Sequence, residues 1–315
     1  MSGESPFNKD RRVCPFLVRD GGRILARVLA VMDARYNRHW NEHLGHLCWF
    51  EALRDTRAAV QLLIDEACAW LQNQGATAAR VGSGMLEQPF VIDVYDALPS
   101  PALRHNPAYY HALLKNAGCE LEKSYVDYKV AVDSELVARL ESLRETALQE
   151  NFEILPLRAI PKDRRVREFT AMFNDTFKAH WGWSPYTEAE IAALLQAAEE
   201  VGVLDASMLA YRENEAIGML LLIPERSNDV VVKFPYQLHD SERLNVLAIG
   251  VRETVRGHGV NTAMFSHGLL ELVRRGAKYL SCSSVLEDNW PSRRAAEKLG
   301  AFACANSVVY RRNFS

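Results

Sequence analysis

The chain has 315 residues, of which 48% are hydrophobic and 24% charged, with a net charge of −3. That length suits two compact units of about 150 residues each, and the slightly acidic balance excludes a surface built broadly for nucleic-acid phosphates. No run approaches the roughly 20 consecutive apolar residues of a bilayer span. Met1 to Arg12 is polar and lacks an apolar leader core. Six cysteines are scattered without a C-x-x-C pair, which reads as buried reduced thiols in a cytoplasmic chain with no membrane and no nucleic-acid partner.

In chain order, Gly21-Gly22 turns into an apolar strand at Arg23 to Val31, and Leu44 to Ala52 is a second strand. Asp55 is placed to cap a helix whose apolar Ala59, Leu62, Leu63, Ala67, Trp70 and Leu71 recur at helical spacing up to Gly75. Short strands are expected at Ala79 to Val81 and Phe90 to Val94, then a Pro-rich turn at Leu98 to Pro101. Asn106-Pro107 has the form of a cap followed by proline at the first helical position. That helix stops at Gly118, Ser124 to Val132 alternates like a strand, and Ser134 to Asn151 is amphipathic enough for a connecting helix.

The second half restarts with a strand at Ile154 to Ala159 and a helix at Val166 to Ala179. Thr187-Glu188-Ala189-Glu190 is a capping box opening another helix. A hairpin at Ala206 to Ile223 carries an irregularity at Gly218, and strands follow at Val230 to Phe234 and Leu244 to Val251. Val260 to Arg275 is a helix, Tyr279 to Val285 a strand, Ser292 to Leu299 a helix and Ser307 to Arg311 a last strand. An internal echo runs through this order. A helix ending Gly-Ala, a strand, an Asn-Pro or Asn-Trp-Pro start, a helix stopped by Gly and a strand ending near Tyr128 in one half and Tyr310 in the other occur twice.

The sharpest local feature is Leu247 to Thr262, an apolar strand running through a glycine-bearing turn into a helix. Glycines let backbone N–H groups approach a ligand closely, and a helix start adds unpaired donors and a favourable dipole. Together they form an anion site suited to a pyrophosphate, with Arg256 adding a charge-assisted contact. An isolated R-G-x-G also occurs in ordinary surface turns. Clustered His39, His43 and His46 would align on a helix, but no Glu or Cys completes a ligand set, so no metal is expected.

Arg256-Gly257-His258-Gly259-Val260-Asn261, with the strand before it and the element order around it, resembles the phosphate loop of the GNAT acyltransferase family. It departs from the family pattern at Asn261, where a small Gly or Ala is usual. Asn289 to Ala301 is similar to the family's N-x-x-A-x-x-L-Y-E-K-L-G-F stretch, with Ala296 in place of its Tyr. Across both halves the chain resembles bacterial proteins with two tandem GNAT-like folds. The fold class implied is mixed α/β (α+β), each domain a mostly antiparallel twisted sheet flanked by helices. Residues 1–133 would form a degenerate GNAT-like domain, 134–150 the connecting helix and 151–315 the acyl-CoA-binding domain.

The resemblance implies acetyl-CoA as acyl donor and a small-molecule or protein amine as acceptor, in a monomer or homodimer. Ile249, Gly250, Val251, Arg256, Gly257, His258, Gly259, Val260, Asn261, Thr262 and Asn289 would hold the CoA. Glu287 is the expected base, with Asp288, His180 and His239 as other candidates, and Tyr310 the expected acid in the absence of the helix tyrosine. His180, Trp181, Trp183 and Tyr186 lie where the family builds its acceptor wall; the aromatic residues equally suit core anchors. Two other functions stay open: a non-catalytic CoA-binding or interaction protein, and a tRNA-dependent aminoacyl transferase of the peptidoglycan-bridge type.

Overall fold

The structure is a computed structural model and describes residues 5–84, 87–95, 104–147, 151–200, 202–224, 244–274, 276 and 279–314. The expected strand at 230–234, the turn at 98–101 and His239 lie outside these residues. Among these residues twelve strands make one sheet. In chain order the first half supplies β1 (Arg11–Asp20), β2 (Arg23–Asp33), α1 (Ala34–Trp40), β3 (Leu44–Ala52), α2 (Arg57–Asn73), β4 (Ala78–Val81), β5 (Phe90–Val91), α3 (Tyr109–Asn116) and β6 (Glu120–Ala131). After α4 (Ser134–Ala147) come β7 (Glu153–Pro156), α5 (Lys162–Phe177), α6 (Glu188–Glu200), β8 (Met208–Arg212) and β9 (Glu215–Pro224). The chain ends with β10 (Leu244–Val251), α7 (Val260–Arg274), β11 (Tyr279–Leu286), α8 (Trp290–Lys298) and β12 (Phe302–Asn313).

The strand order is β1-β2-β3-β4-β12-β6-β11-β10-β9-β8-β7, with β5 paired to β12. The last strand of each half has therefore crossed over. β12 lies antiparallel to β4 of the first half, β6 lies antiparallel to β11 of the second, and the two exchanged strands pair with each other along most of their length. Their seam joins both half-sheets through backbone hydrogen bonds, so neither half ends in a free central edge there.

The exchange also shows that the internal echo is structural. At a constant offset of 182 residues, Gly118 matches Gly300, His111 matches Arg293 and Tyr128 matches Tyr310. In each half the tyrosine of the exchanged strand meets the matched helix residue: His111 Nδ1 lies 2.7 Å from the Tyr310 hydroxyl, and Arg293 Nε donates to the Tyr128 hydroxyl at 2.9 Å.

Strand alternation sorts the second-half core into two layers. Met208, Ala210, Leu220 and Leu222 pack with α7 and α4 on one face, while Leu209, Tyr211, Met219 and Leu221 pack with α5 and α6 on the other. The first half buries Val60, Leu63, Ile64, Ala67 and Leu71 of α2 against Val28, Ala30, Leu47 and Val81. Full burial of one such leucine or isoleucine contributes about 1.5–3 kcal/mol.

Several local expectations change in the structure. Residues 11–20, assigned no element from the sequence and beginning in its polar N-terminal stretch, form a ten-residue strand paired with β2. Asp55 is not the cap of α2, since Thr56 holds that position and offers no side-chain bond. Asn106 does not cap α3 either. Its Oδ1 accepts from the Val91 N–H at 2.8 Å and its Nδ2 donates to the Val91 carbonyl at 3.0 Å, tying the loop to β5. The three clustered histidines do not share a helix, since α1, which carries His39, ends at Asn41 in the left-handed region. His46 is buried on β3 with Nδ1 at 2.9 Å from the Ser83 carbonyl, and His39 Nε2 lies at the Lys178 carbonyl.

The capping box is present and does more than cap. Thr187 donates through N–H (2.8 Å) and Oγ1 (3.0 Å) to Oε2 of Glu190. Two arginines of the first half reach the same carboxylate. Arg35 binds it bidentately at 2.6 Å and 2.6 Å, and Arg11 Nη1 binds Oε1 at 2.8 Å. Arg11 also pairs with Asp33 at 2.8 Å, and Asp33 caps α1 and accepts from Ser184 Oγ at 3.0 Å. Glu190 is fully buried. Burial pushes its carboxyl up, and the two guanidiniums with the Thr187 N–H more than reverse that, holding it at about 2.

Because the folded value lies below the ordinary carboxylate value, the stabilisation from Glu190 is complete above about pH 4.5 and drains away as the pH falls towards 2. Glu190→Gln leaves two buried guanidiniums short of a charge. We expect it to cost about 3–5 kcal/mol in chemical denaturation at neutral pH, with a flatter stability profile than the parent chain below pH 4.5.

Candidate acyl-CoA site

β10 and β11 run parallel, and their ladder covers only Leu244 to Val246 against Leu280 to Cys282. Beyond that point the strands part. β10 continues along β9 through Ile249, Gly250 and Val251, and β11 continues along β6 through Val285 and Leu286. A register shift sits on each outer ladder at the parting, between Val246 and Ala248 and between Cys282 and Val285. Bulges bend strands in this way. The result is a wedge whose sides are backbone, with N–H groups able to face a ligand oxygen.

Several features hold the wedge open. Ser284 takes a left-handed φ of 58°, and its N–H donates to Asp127 Oδ1 on β6 at 2.6 Å. On the other side α5 presses Thr176 against Gly250, where a Cβ would come within 2.7 Å of the threonine side chain. Only glycine admits that approach. Arg252 closes the base of the turn, with its N–H on the Ile217 carbonyl at 2.9 Å and its guanidinium on Glu215 at 2.5 Å.

The turn then delivers α7. Gly257 and Gly259 have φ of 84° and 76°, a region that disfavours other residues. They aim the chain so that Val260, Asn261 and Thr262 form the first turn of α7, whose N–H groups have no intrahelical acceptor. Arg256 and His258 are exposed, and Arg256 lies only 3.7 Å from Glu253. Asn261 points to the exposed side, while Val260 anchors the turn in the core. Backbone donors, a helix N-terminus and an exposed arginine fit a pyrophosphate.

At the far end of β11 the turn Glu287-Asp288-Asn289 leads into α8. Asn289 caps this helix, with Oδ1 accepting from Ser292 N–H at 3.3 Å, which leaves its amide NH₂ for another partner. Glu287 is exposed and its backbone carbonyl accepts from Arg293 at 2.8 Å. Asp288 binds Lys123 at 2.6 Å, and that contact first of all holds its carboxyl below the ordinary range. Ala296, at the usual tyrosine position, packs against Val126, Tyr128 and Val285.

The α5–α6 connection divides the expected acceptor wall. Trp181 lies over Tyr125, Leu286 and Val309, with the Arg80 guanidinium 4.3 Å from its ring. His180 sits beside it. Its Nδ1 is 3.2 Å from the Trp181 carbonyl and must donate there, leaving Nε2 as the basic nitrogen. Burial lowers its pKa, so the ring is neutral at pH 7. Trp183 and Tyr186 belong instead to a core cluster with Phe173 and Phe177. The connection is bolted to the first half by Trp40 Nε1 donating to the Trp183 carbonyl (2.7 Å) and by Arg35 donating to the Pro185 carbonyl (2.9 Å).

Tyr310 is set apart from this site. The strand exchange carries it into the first-half core, where it is buried among Phe90 and His111. Burial raises its pKa to about 12. The residues that sequence reasoning missed are Asp127 and Thr176, which shape the wedge. Their partners are remote in sequence, so no local pattern marks them.

The first half has a matching parting of β3 and β4 after Leu47 and Val81, but it is filled from within. Glu87 takes the Trp49 N–H, and Arg104 donates to the Phe50 carbonyl. The two side chains pair at 2.9 Å, with Arg104 stacked 4.5 Å above Phe90. Burial pushes the Glu87 carboxyl up, against the pull of Arg104. α2 is preceded by Leu53-Arg54-Asp55-Thr56, with no glycine to admit a phosphate.

Comparison with known proteins agrees with this geometry. The Acetyltransferase (GNAT) family model matches residues 166–301. The second half belongs to the GNAT family. Across its length the chain has a tandem GNAT fold, similar to a tandem GNAT protein from the clavulanic acid biosynthesis pathway at a TM-score of 0.58 and 12% identity, covering 96% of this chain and 83% of that one. A GCN5-related glucosamine N-acetyltransferase region of a fungal multi-domain β-N-acetylglucosaminidase aligns at a TM-score of 0.61 and 18% identity, over 97% of this chain and 34% of that chain. Among curated proteins, the bacterial ceramide synthase of Caulobacter vibrioides is 25% identical over 226 residues, which are 70% of this chain and 58% of that protein. Protein YghO of Escherichia coli is 22% identical over 57% of this chain and 46% of its own length. The chain thus spans about half the length of the curated relatives it matches.

Among the described residues no helix is long and apolar enough to cross a membrane, and no group of three or more His, Cys, Asp or Glu side chains is placed to hold a metal ion. Gly259→Val places a β-branched residue in the left-handed region at the phosphate turn. The folding cost is about 1–2 kcal/mol, and CoA affinity in calorimetric titration should fall beyond detection while the far-ultraviolet circular dichroism stays unchanged.

Proposed function

We propose that this chain is an acyl-CoA-dependent N-acyltransferase that moves an acetyl or longer acyl group to a primary amine. The observation that carries the reading is the wedge between β10 and β11, opening beside a glycine turn that leads into α7 within a GNAT domain. In this reading the turn and the first residues of α7 bind the pyrophosphate, Asn289 contacts the pantetheine arm, and the thioester lies in the wedge. Backbone N–H groups near Ile249 to Val251 stabilise the oxyanion that forms on the thioester carbonyl.

The chemistry needs few protein groups. Glu287 takes a proton from the acceptor ammonium, and the free amine attacks the carbonyl carbon to form the C–N bond. The tetrahedral intermediate collapses with cleavage of the C–S bond. The CoA thiolate leaves and receives, relayed through water, the proton that the attacking nitrogen sheds, because α8 carries Ala296 where the family has its acid. His180, neutral and with Nε2 free to accept, is the second candidate base. The first half acts as a scaffold that fixes the acceptor wall through Trp40 and Arg35.

One finding favours a narrower acceptor class. The 25% identical relative is named for ceramide synthesis, and forming a ceramide joins an acyl group to the amine of a long-chain base. A second reading is therefore a long-chain amine acceptor.

Glu287→Gln separates binding from chemistry. We expect kcat to fall about 10²- to 10⁴-fold with the acyl-CoA Kd unchanged, measured by thiol release against an amine panel. Equal turnover would move the base role to His180, whose removal would then abolish the acidic limb of the pH–rate profile.

A further inference from the structure

The end of β11 opens on a cavity of about 450 Å³, within the range of small-molecule sites. One wall is the start of β6, the other the turn from β11 into α8. Two large apolar side chains stand in it largely exposed, Leu121 at 55% and Trp290 at 53%. Leu121 lies beyond the point where β11 leaves β6 at Tyr125, so this stretch of β6 pairs with β12 alone and its other side faces the cavity. Apolar surface of this kind on a concave wall marks a binding site more often than an isolated surface leucine does.

Trp290 is held in place rather than loose. The Arg293 guanidinium lies 4.4 Å from its ring centre, and the same guanidinium donates to the Tyr128 hydroxyl at 2.9 Å and to the Glu287 carbonyl at 2.8 Å. A ring fixed in this way loses little freedom when a ligand covers it.

The charges in the cavity are mostly spent. Glu122 is paired with Arg80 and Arg311, and Asp288 with Lys123. Arg293 is committed as described. Among the described residues the Glu287 carboxylate alone of the cavity's acids has no side-chain hydrogen bond or ion pair. One open carboxylate beside two apolar surfaces is the complement of an ammonium group on a hydrocarbon chain.

We propose that this cavity is the acceptor site, and that the acceptor is an amphiphilic primary amine. Its ammonium sits on Glu287, just past the end of β11, and its hydrocarbon chain lies across Trp290 and Leu121. The assignment of the amine as an acyl acceptor rests on the acyltransferase reading; the binding itself does not.

Equilibrium binding of butylamine, octylamine and octanol to the full chain, without acyl-CoA, tests it. Octylamine should bind about tenfold more tightly than butylamine, since four more methylenes leave water in part, and about tenfold more tightly than octanol. Trp290→Ala and Leu121→Gln, both at exposed positions, should each reduce octylamine and octanol binding alike. Glu287→Gln should erase the preference for amine over alcohol and leave the chain-length gain. Equal binding of octylamine and butylamine, or variants that match the parent, would overturn the proposal. A chain that binds octylamine as expected but transfers no acyl group to it in the presence of acyl-CoA would sustain the cavity and overturn the acyltransferase reading instead.

Discussion

A single buried carboxylate holds the two halves in their working arrangement. Glu190 lies 179 residues from Arg11 and 155 from Arg35 in the chain, yet it accepts from both and from Thr187 inside a protein core. With Asp33 the cluster carries two positive and two negative charges, so it is neutral as a whole, which is the condition under which buried ions persist. Its position matters more than its net energy. Glu190 opens α6, directly after the connection that carries His180 and Trp181, and the arginines reach it from β1 and α1. The α5–α6 connection is thereby fixed by the half of the protein that binds no CoA in this account.

The strand exchange supplies the second constraint. With β12 beside β4 and β6 beside β11, neither half completes its sheet alone, and the wedge in the second half is braced by Asp127 from a first-half strand. The two halves have diverged at matching places. Where the second half keeps an open wedge and a glycine turn, the first has closed the equivalent gap with Glu87, Arg104 and Phe90 and lost the glycines before α2. A pair of side chains now occupies the backbone groups that would otherwise meet a ligand. Among the described residues, the second half alone combines an open parting of parallel strands with glycines ahead of the following helix.

Much of this was legible locally. The capping box at Thr187 to Glu190, the strand-turn-helix around Gly257 and Gly259, and the hairpin shift opposite Gly218 depend on neighbours in sequence, and all three form as read. The Asn-to-Gly segments of the two halves exposed the repeat. What failed depended on long-range pairing. Arg11, Arg12 and Pro15 disguise β1, whose strand character comes from its ladder with β2. α1 is a seven-residue helix made stable by Asp33 and by contacts across the chain rather than by its own propensity. Tyr310 had the right chemistry for an acid and the right distance in sequence, but strand exchange placed it in the other core. Asn106 had the residue type of a cap and was drawn to Val91 instead.

The central claim is an asymmetry: one acyl-CoA site, in the second half, with the first-half gap filled by its own side chains. The stoichiometry of acetyl-CoA binding to the full chain, read by equilibrium dialysis, tests it most directly. Saturation at one molecule per chain is the result this account predicts. Saturation at two would mean that Glu87 and Arg104 yield to the ligand and that the first half is a working site, which would contradict it.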